Sequence, residues 1–116
     1  ATKACEKLLN HFKILGRQGI TITCSGFYAP QGRKGRLQIT YPDFIESLMR
    51  FHFQGLHCQN LEMETAAILG LGQVLGHQCL SMSLAINNRS TGEFFSDISG
   101  GVEKLIEKSI ALIETL

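Results

Sequence analysis

An α/β fold with a mainly parallel sheet is the class this sequence predicts. Helix-period apolar patterns alternate along it with short β-branched or aliphatic runs, and glycine-bearing polar segments fall where those runs end. Its 116 residues suffice for one compact domain with a modest core, so a single unit spanning residues 1–116 is expected.

The elements follow in order. Cys5, Leu8, Leu9, Phe12 and Leu15 recur at spacings of three and four, which predicts an amphipathic helix over residues 2–18, closed by Gly16 and Gly19. The run GITITCSGF then reads as a strand, and GFYAPQGRKG, residues 26–35, as the loop behind it. YPDFIES offers an aspartate cap with Glu46 three positions later, predicting a second helix from Pro42 or Asp43 to about Gln54. After Gly55 the short strand HCQNLE leads into a helix over residues 63–75. CLSMSLAIN, residues 79–87, reads as a buried strand. Val102, Leu105, Ile106, Ile110 and Ile113 mark one face of a closing helix over residues 101–116.

Composition removes several functions. A formal charge of +1 gives no field for gathering nucleic acid or an anionic membrane, and no segment has the apolar length of a membrane span or the pattern of a signal peptide. A cytoplasmic location is the resulting expectation. Cys5, Cys24, Cys58 and Cys79 form no C-x-x-C pair and are expected as buried free thiols. His52, His57 and His77 lack metal-ligand spacing. Gly70-Leu71-Gly72 with Gly76 imitates a dinucleotide fingerprint but lies within a helical pattern, where close helix packing is the simpler reading.

Three segments at predicted strand ends carry candidate chemistry, and such ends are where α/β sheets place their ligands. In NLEMETAA, Glu62 and Glu64 flank a strand-to-helix junction whose free amides favour ionised carboxylates. Held there, they can accept hydrogen bonds from paired hydroxyls such as those of a ribose, with Met63 against the apolar sugar face; the alternative is that both acids cap the helix. In the glycine loop, the Gln31 amide and the Arg33 guanidinium can together read the edge of an amide-like heterocycle, or the loop can simply be solvated. Phe27 and Tyr28 offer a stacking wall or a core anchor. Arg89, in AINNRSTG, is either a surface arginine or a cation that neutralises charge on a departing base.

NLEMETAA resembles the Glu-Met-Glu signature of the nucleoside phosphorylase superfamily, and FYAPQGR and NNRS resemble the base-reading loop and final-strand end of its uridine phosphorylase branch. The resemblance implies a three-layer phosphorylase/hydrolase-like fold, its mostly parallel or mixed central sheet flanked by helices, of which this chain forms the C-terminal half. It implies phosphorolysis of uridine to uracil and ribose 1-phosphate, with phosphate as co-substrate and no metal or organic cofactor. Glu64 would then hold the ribose hydroxyls, with Glu62 and Met63 lining the sugar site. Gln31 and Arg33 would read uracil beside Phe27, and Arg33 and Arg89 would supply the catalytic cations. The family's phosphate-binding residues come from an N-terminal half with no counterpart in this sequence, and a neighbouring subunit completes its sites. A dimer-based homo-oligomer such as a hexamer, and an inactive isolated chain, are therefore expected. A hydrolytic nucleosidase of the same superfamily and a non-catalytic nucleoside-binding module are the alternatives.

Overall fold

The computed structural model describes all of residues 1–116. Four α-helices, α1 (Glu6–Phe12), α2 (Phe44–Arg50), α3 (Thr65–Val74) and α4 (Ile98–Ile113), accompany three strands, β1 (Ile20–Thr23), β2 (His52–Phe53) and β3 (Leu56–Glu62). The sheet has the order β1-β3-β2 and is mixed. β1 lies parallel to β3, with Ile22 opposite Leu61 and Thr23 opposite Glu62, while β2 runs antiparallel to β3. Gly19, just before β1, permits this approach, because a Cβ there would stand 2.1 Å from the Gln59 side chain.

Several predicted boundaries move. The first helix shrinks to α1 followed by a 3-10 turn at Lys13–Leu15, and α2 stops at Arg50 instead of reaching Gln54. Beyond α2 the chain makes a hairpin: Gln54 and Gly55 have φ of 51° and 77°, the paired left-handed conformations of a type I′ turn. Asp43 precedes α2 without a side-chain cap bond, so the predicted capping box is not formed. α4 begins three residues early because Asp97 caps it, accepting from the Gly100 amide at 3.1 Å.

The strand expected over residues 79–87 is absent. Along this segment Asn60 Nδ2 donates to Ser83 Oγ and the Thr65 and Ser81 hydroxyls pair, both at 3.0 Å, while main-chain bonds come only near its ends, from the Cys5 amide to Cys79 O at 2.9 Å and from the Phe95 amide to Ile86 O at 2.8 Å. No continuous ladder forms along it, and an isolated backbone bridge joins Asn87 to Phe94. Gly72 packs against the start of the segment, and a Cβ at Gly72 would lie 2.3 Å from Cys79 Sγ, which confirms helix packing as the role of that glycine. Gly72→Ala is expected to lower stability by about 1–3 kcal/mol through overpacking, read as an earlier urea midpoint that Cys79→Ala partly restores.

Little of the molecule is buried. Phe12, Cys24 and Leu69 are the buried hydrophobic residues. α4 turns Leu105 partly inward and leaves Val102, Ile106, Ile110 and Ile113 between 40% and 59% exposed, so the predicted apolar face is split between the interior and solvent. The accessible surface is 8980 Å², whereas a compact monomer of 12.8 kDa presents about 6,300 Å². The radius of gyration, 15.6 Å, likewise exceeds the roughly 13 Å of a compact chain this long. No helix is long and apolar enough to cross a membrane.

Candidate functional site

The loop after β1 folds on its own backbone. The amides of Gln31 and Arg33 both donate to Tyr28 O, at 3.1 and 2.9 Å, and Gly32 donates to Ala29 O at 2.9 Å. Gly32 takes φ 70°, with no room for a Cβ beside the Phe44 ring 2.8 Å away. The resulting 3-10 turn, Ala29–Gln31, carries Gln31 inward to 3% exposure.

Gln31 is the joint of this region. Arg33 Nη1 donates to Gln31 Oε1 and to Phe27 O, both at 2.5 Å, and its guanidinium lies 3.7 Å from the centre of the Phe27 ring. A guanidinium only donates, so the amide atom facing it must be the oxygen. That leaves the Gln31 Nε2 donors without a protein partner and a second lone pair on Oε1. No fully buried side-chain polar atom lacks a partner, so the unpaired Nε2 keeps a share of the small surface that Gln31 exposes. From 58 residues away Arg89 Nη1 donates to the Gln31 main-chain oxygen. Arg89 stands on a tight loop in which Asn88 Oδ1 accepts from the Ser90 amide and hydroxyl at 3.1 and 2.7 Å. Burial, and then the neighbouring Arg33 charge, lower the Arg89 pKa from its ordinary value. A cleft of about 740 Å³ opens beside the two arginines, floored by Pro42, Ile45 and Met49.

The second part lies at the β3–α3 junction. Glu62 Oε2 accepts from the amides of Glu64 and Thr65 at 2.7 and 2.6 Å, and Oε1 accepts from the Thr23 hydroxyl at 2.5 Å. Glu62 is thus a cap for α3, as the simpler reading of the acid pair holds for this residue. Glu64, at the N-cap position, makes no side-chain cap bond; its carboxylate accepts only from the Met63 amide at 3.2 Å and stays exposed beside a 42% exposed Met63. Desolvation works against the Glu62 anion, but the bonds from Thr23, Glu64 and Thr65 outweigh it and hold its pKa below the ordinary glutamate value.

Cys24 links the two parts. Burial first, then the Glu62 carboxylate, raise its thiol pKa, while Arg33 and Arg89 oppose that rise. One buried sulfur therefore feels the Glu62 carboxylate and both loop arginines together. The fold gathers Phe27, Gln31, Arg33 and Arg89 into one bonded cluster, and sets Glu62, Met63 and Glu64 at the next strand end. Residues 1–116 match the family model described as the phosphorylase superfamily. The chain belongs to the phosphorylase superfamily. No curated protein and no solved structure matches it. Membership in the phosphorylase superfamily brings nucleoside phosphorylase- or hydrolase-type chemistry, with nucleosides and phosphate as substrate classes.

The link through Thr23 and the place of Cys24 between the two clusters carry no sequence signal. Thr23 carries no motif, and its link to Glu62 crosses 39 positions of sequence; only the register of two parallel strands could have exposed it. Cys24 was read as a thiol to be buried, which it is, while the other three cysteines are partly exposed and free. No three His, Cys, Asp or Glu side chains gather in a way that could hold a metal ion.

The Glu62 cap carries a pH dependence. A carboxyl whose folded pKa lies below its unfolded value contributes stability that is fully present above the unfolded value, ~4.3, and is lost as pH falls through the folded one. Glu62→Gln is expected to flatten that acid limb while lowering stability at neutral pH, as read by denaturation midpoints between pH 3 and pH 7.

Proposed function

We propose that this phosphorylase-superfamily chain carries the base- and ribose-binding half of a uridine phosphorylase. The observation that supports this best is the direction of the Gln31–Arg33 pair. Gln31 Nε2 donates, Gln31 Oε1 keeps one lone pair, and the free nitrogens of Arg33 donate. Donor, acceptor, donor is the complement of the O2, N3–H and O4 edge of uracil. Cytosine would turn an amino group toward a guanidinium that can only donate, leaving donors facing one another.

In this reading Phe27 packs beside the base, Glu64 receives the ribose hydroxyls, Met63 borders the sugar, and Glu62 holds the junction. The C1′–N1 bond breaks with its electron pair going to the base, and a phosphate oxygen forms the new bond to C1′ from the opposite face. Arg33 and Arg89 stabilise the charge gathering on the uracil carbonyls before N1 takes up a proton. Phosphate is a co-substrate, and no metal or organic cofactor takes part. The amides of Glu64, Thr65 and Ala66 already have acceptors, so α3 does not supply a phosphate cradle.

The phosphate-facing wall is proposed to come from further polypeptide, in a dimer-based homo-oligomer and a cytoplasmic setting. The large accessible surface and the apolar stripe on α4 support this, since both are surfaces that a larger assembly would cover. The 116-residue chain by itself is then expected to bind uracil nucleosides without turning them over. Chromatographic detection of uracil from uridine, with and without phosphate and alongside an intact-mass check, tests the reading. Uracil formed only with phosphate by the assembled protein supports it. Uracil formed without phosphate replaces it with a hydrolase, and binding without turnover by the assembly replaces it with a nucleoside-binding module.

A further inference from the structure

We infer that Thr23 is a positioning residue: by holding the Glu62 carboxylate and the Ala66 amide, its hydroxyl keeps the Glu64 carboxylate from capping its own helix and so leaves it to ligand hydroxyls. This rests on the nucleoside-binding reading for the role of Glu64, and on geometry alone for the role of Thr23.

Thr23 is the last residue of β1 and stands opposite Glu62, the last residue of β3. Its single hydroxyl proton goes to Glu62 Oε1 at 2.5 Å, and its oxygen accepts from the Ala66 amide at 2.9 Å. With Glu62 Oε2 taking the Glu64 and Thr65 amides, three consecutive amides at the start of α3 are satisfied from the strand ends. The next two, Ala67 and Ile68, already donate to Glu64 O, both at 3.1 Å. An acidic residue at an N-cap ordinarily turns its side chain onto the second or third helical amide. Here the second such amide is Ala66, and Thr23 has taken it. Glu64 therefore keeps its carboxylate outward, although it occupies the position from which a glutamate could cap.

Without the Thr23 hydroxyl, Ala66 N–H loses its acceptor and Glu62 loses one of its three donors. The acceptors then left at this corner for Ala66 are the Glu64 carboxylate and the Glu62 Oε1 that Thr23 had occupied; Glu62 already takes two amides, and Glu64 is the one inferred to fold onto α3. A helix repaired in this way remains helical, yet its ligand-facing acceptor is spent. The charged and titratable groups around this corner are Glu62 and Glu64 at the junction and Cys24 at the end of β1, with Arg33 and Arg89 acting on Cys24 from the two loops. Of these, only Glu62 could take the Ala66 amide in place of Glu64, and it would do so through the oxygen that Thr23 releases.

The test uses Thr23→Val and Thr23→Ser in the full chain, with uridine and 2′,3′-dideoxyuridine as ligands. Thr23→Val is expected to weaken uridine about tenfold and dideoxyuridine little, so that the advantage conferred by the hydroxyls disappears; Thr23→Ser restores it. A general loss of structure would weaken both ligands equally, and that result overturns the inference. A ligand-free readout accompanies it. Glu64→Ala is expected to leave the thermal midpoint of the parent chain unchanged and to lower it in the Thr23→Val background, where Glu64 has become the cap. Additive effects in that cycle would also overturn the inference. If the parent chain binds neither nucleoside, the nucleoside-binding reading fails while the cycle still decides what Thr23 does.

Discussion

Arg33→Ala is expected to lower kcat/KM for uridine in the assembled enzyme by about ten- to a hundredfold, because charge-assisted hydrogen bonds contribute about 1.5–3 kcal/mol each. Its effect extends beyond one lost contact. Arg33 Nη1 ties Gln31 Oε1 and Phe27 O together, and its guanidinium covers the Phe27 ring. With it removed, nothing sets which end of the Gln31 amide faces the base, and the amide can turn over. Discrimination between uridine and cytidine should therefore collapse along with the rate. The decisive comparison is the ratio of kcat/KM for the two nucleosides in parent and variant. An unchanged ratio, or an equal loss with purine nucleosides, would show that the substitution only disorders the loop.

Glu64→Gln is the second large expectation. Its carboxylate accepts only one internal bond, from its neighbour's amide, and remains exposed at the strand end. Replacing it removes the charge while keeping the shape, so uridine should bind about ten- to a hundredfold more weakly. The loss should vanish for 2′,3′-dideoxyuridine, which has no hydroxyls to donate. Unchanged uridine affinity would remove Glu64 from the sugar site. Glu62→Gln should act differently, lowering stability first, because that residue's bonds all lie within the protein.

The grouping of the candidate residues was more legible in the sequence than the element boundaries around them. Gln31, Arg33, Glu62 and Glu64 are polar residues at short spacings beside strand-like runs, and local spacing survives folding. Arg89 was placed at a strand end, and although the strand of residues 79–87 did not form, the loop bearing Arg89 still reached Gln31. The 79–87 segment is held instead by hydroxyl links at Ser81 and Ser83 to partners across the chain, which no periodicity reveals. The hairpin was hidden by Gln54, a residue that rarely supplies the first left-handed position of a type I′ turn. Asp97 was a readable cap, yet the apolar stripe of α4 drew attention to a later start. Splitting of that stripe reflects tertiary contact, with Leu105 turned inward and Ile106 left outside.

The saturated amides at the start of α3 give this corner a definite electrical character. A helix N-terminus ordinarily draws anions, but here a resident carboxylate, Glu62, has discharged it, and a second one, Glu64, stands in front. The corner consequently offers an anion two carboxylates and no free amide, and in the proposed reading it is left to an uncharged sugar. A phosphorylase built on this corner would have to receive its nucleophile and its nucleoside by separate doorways.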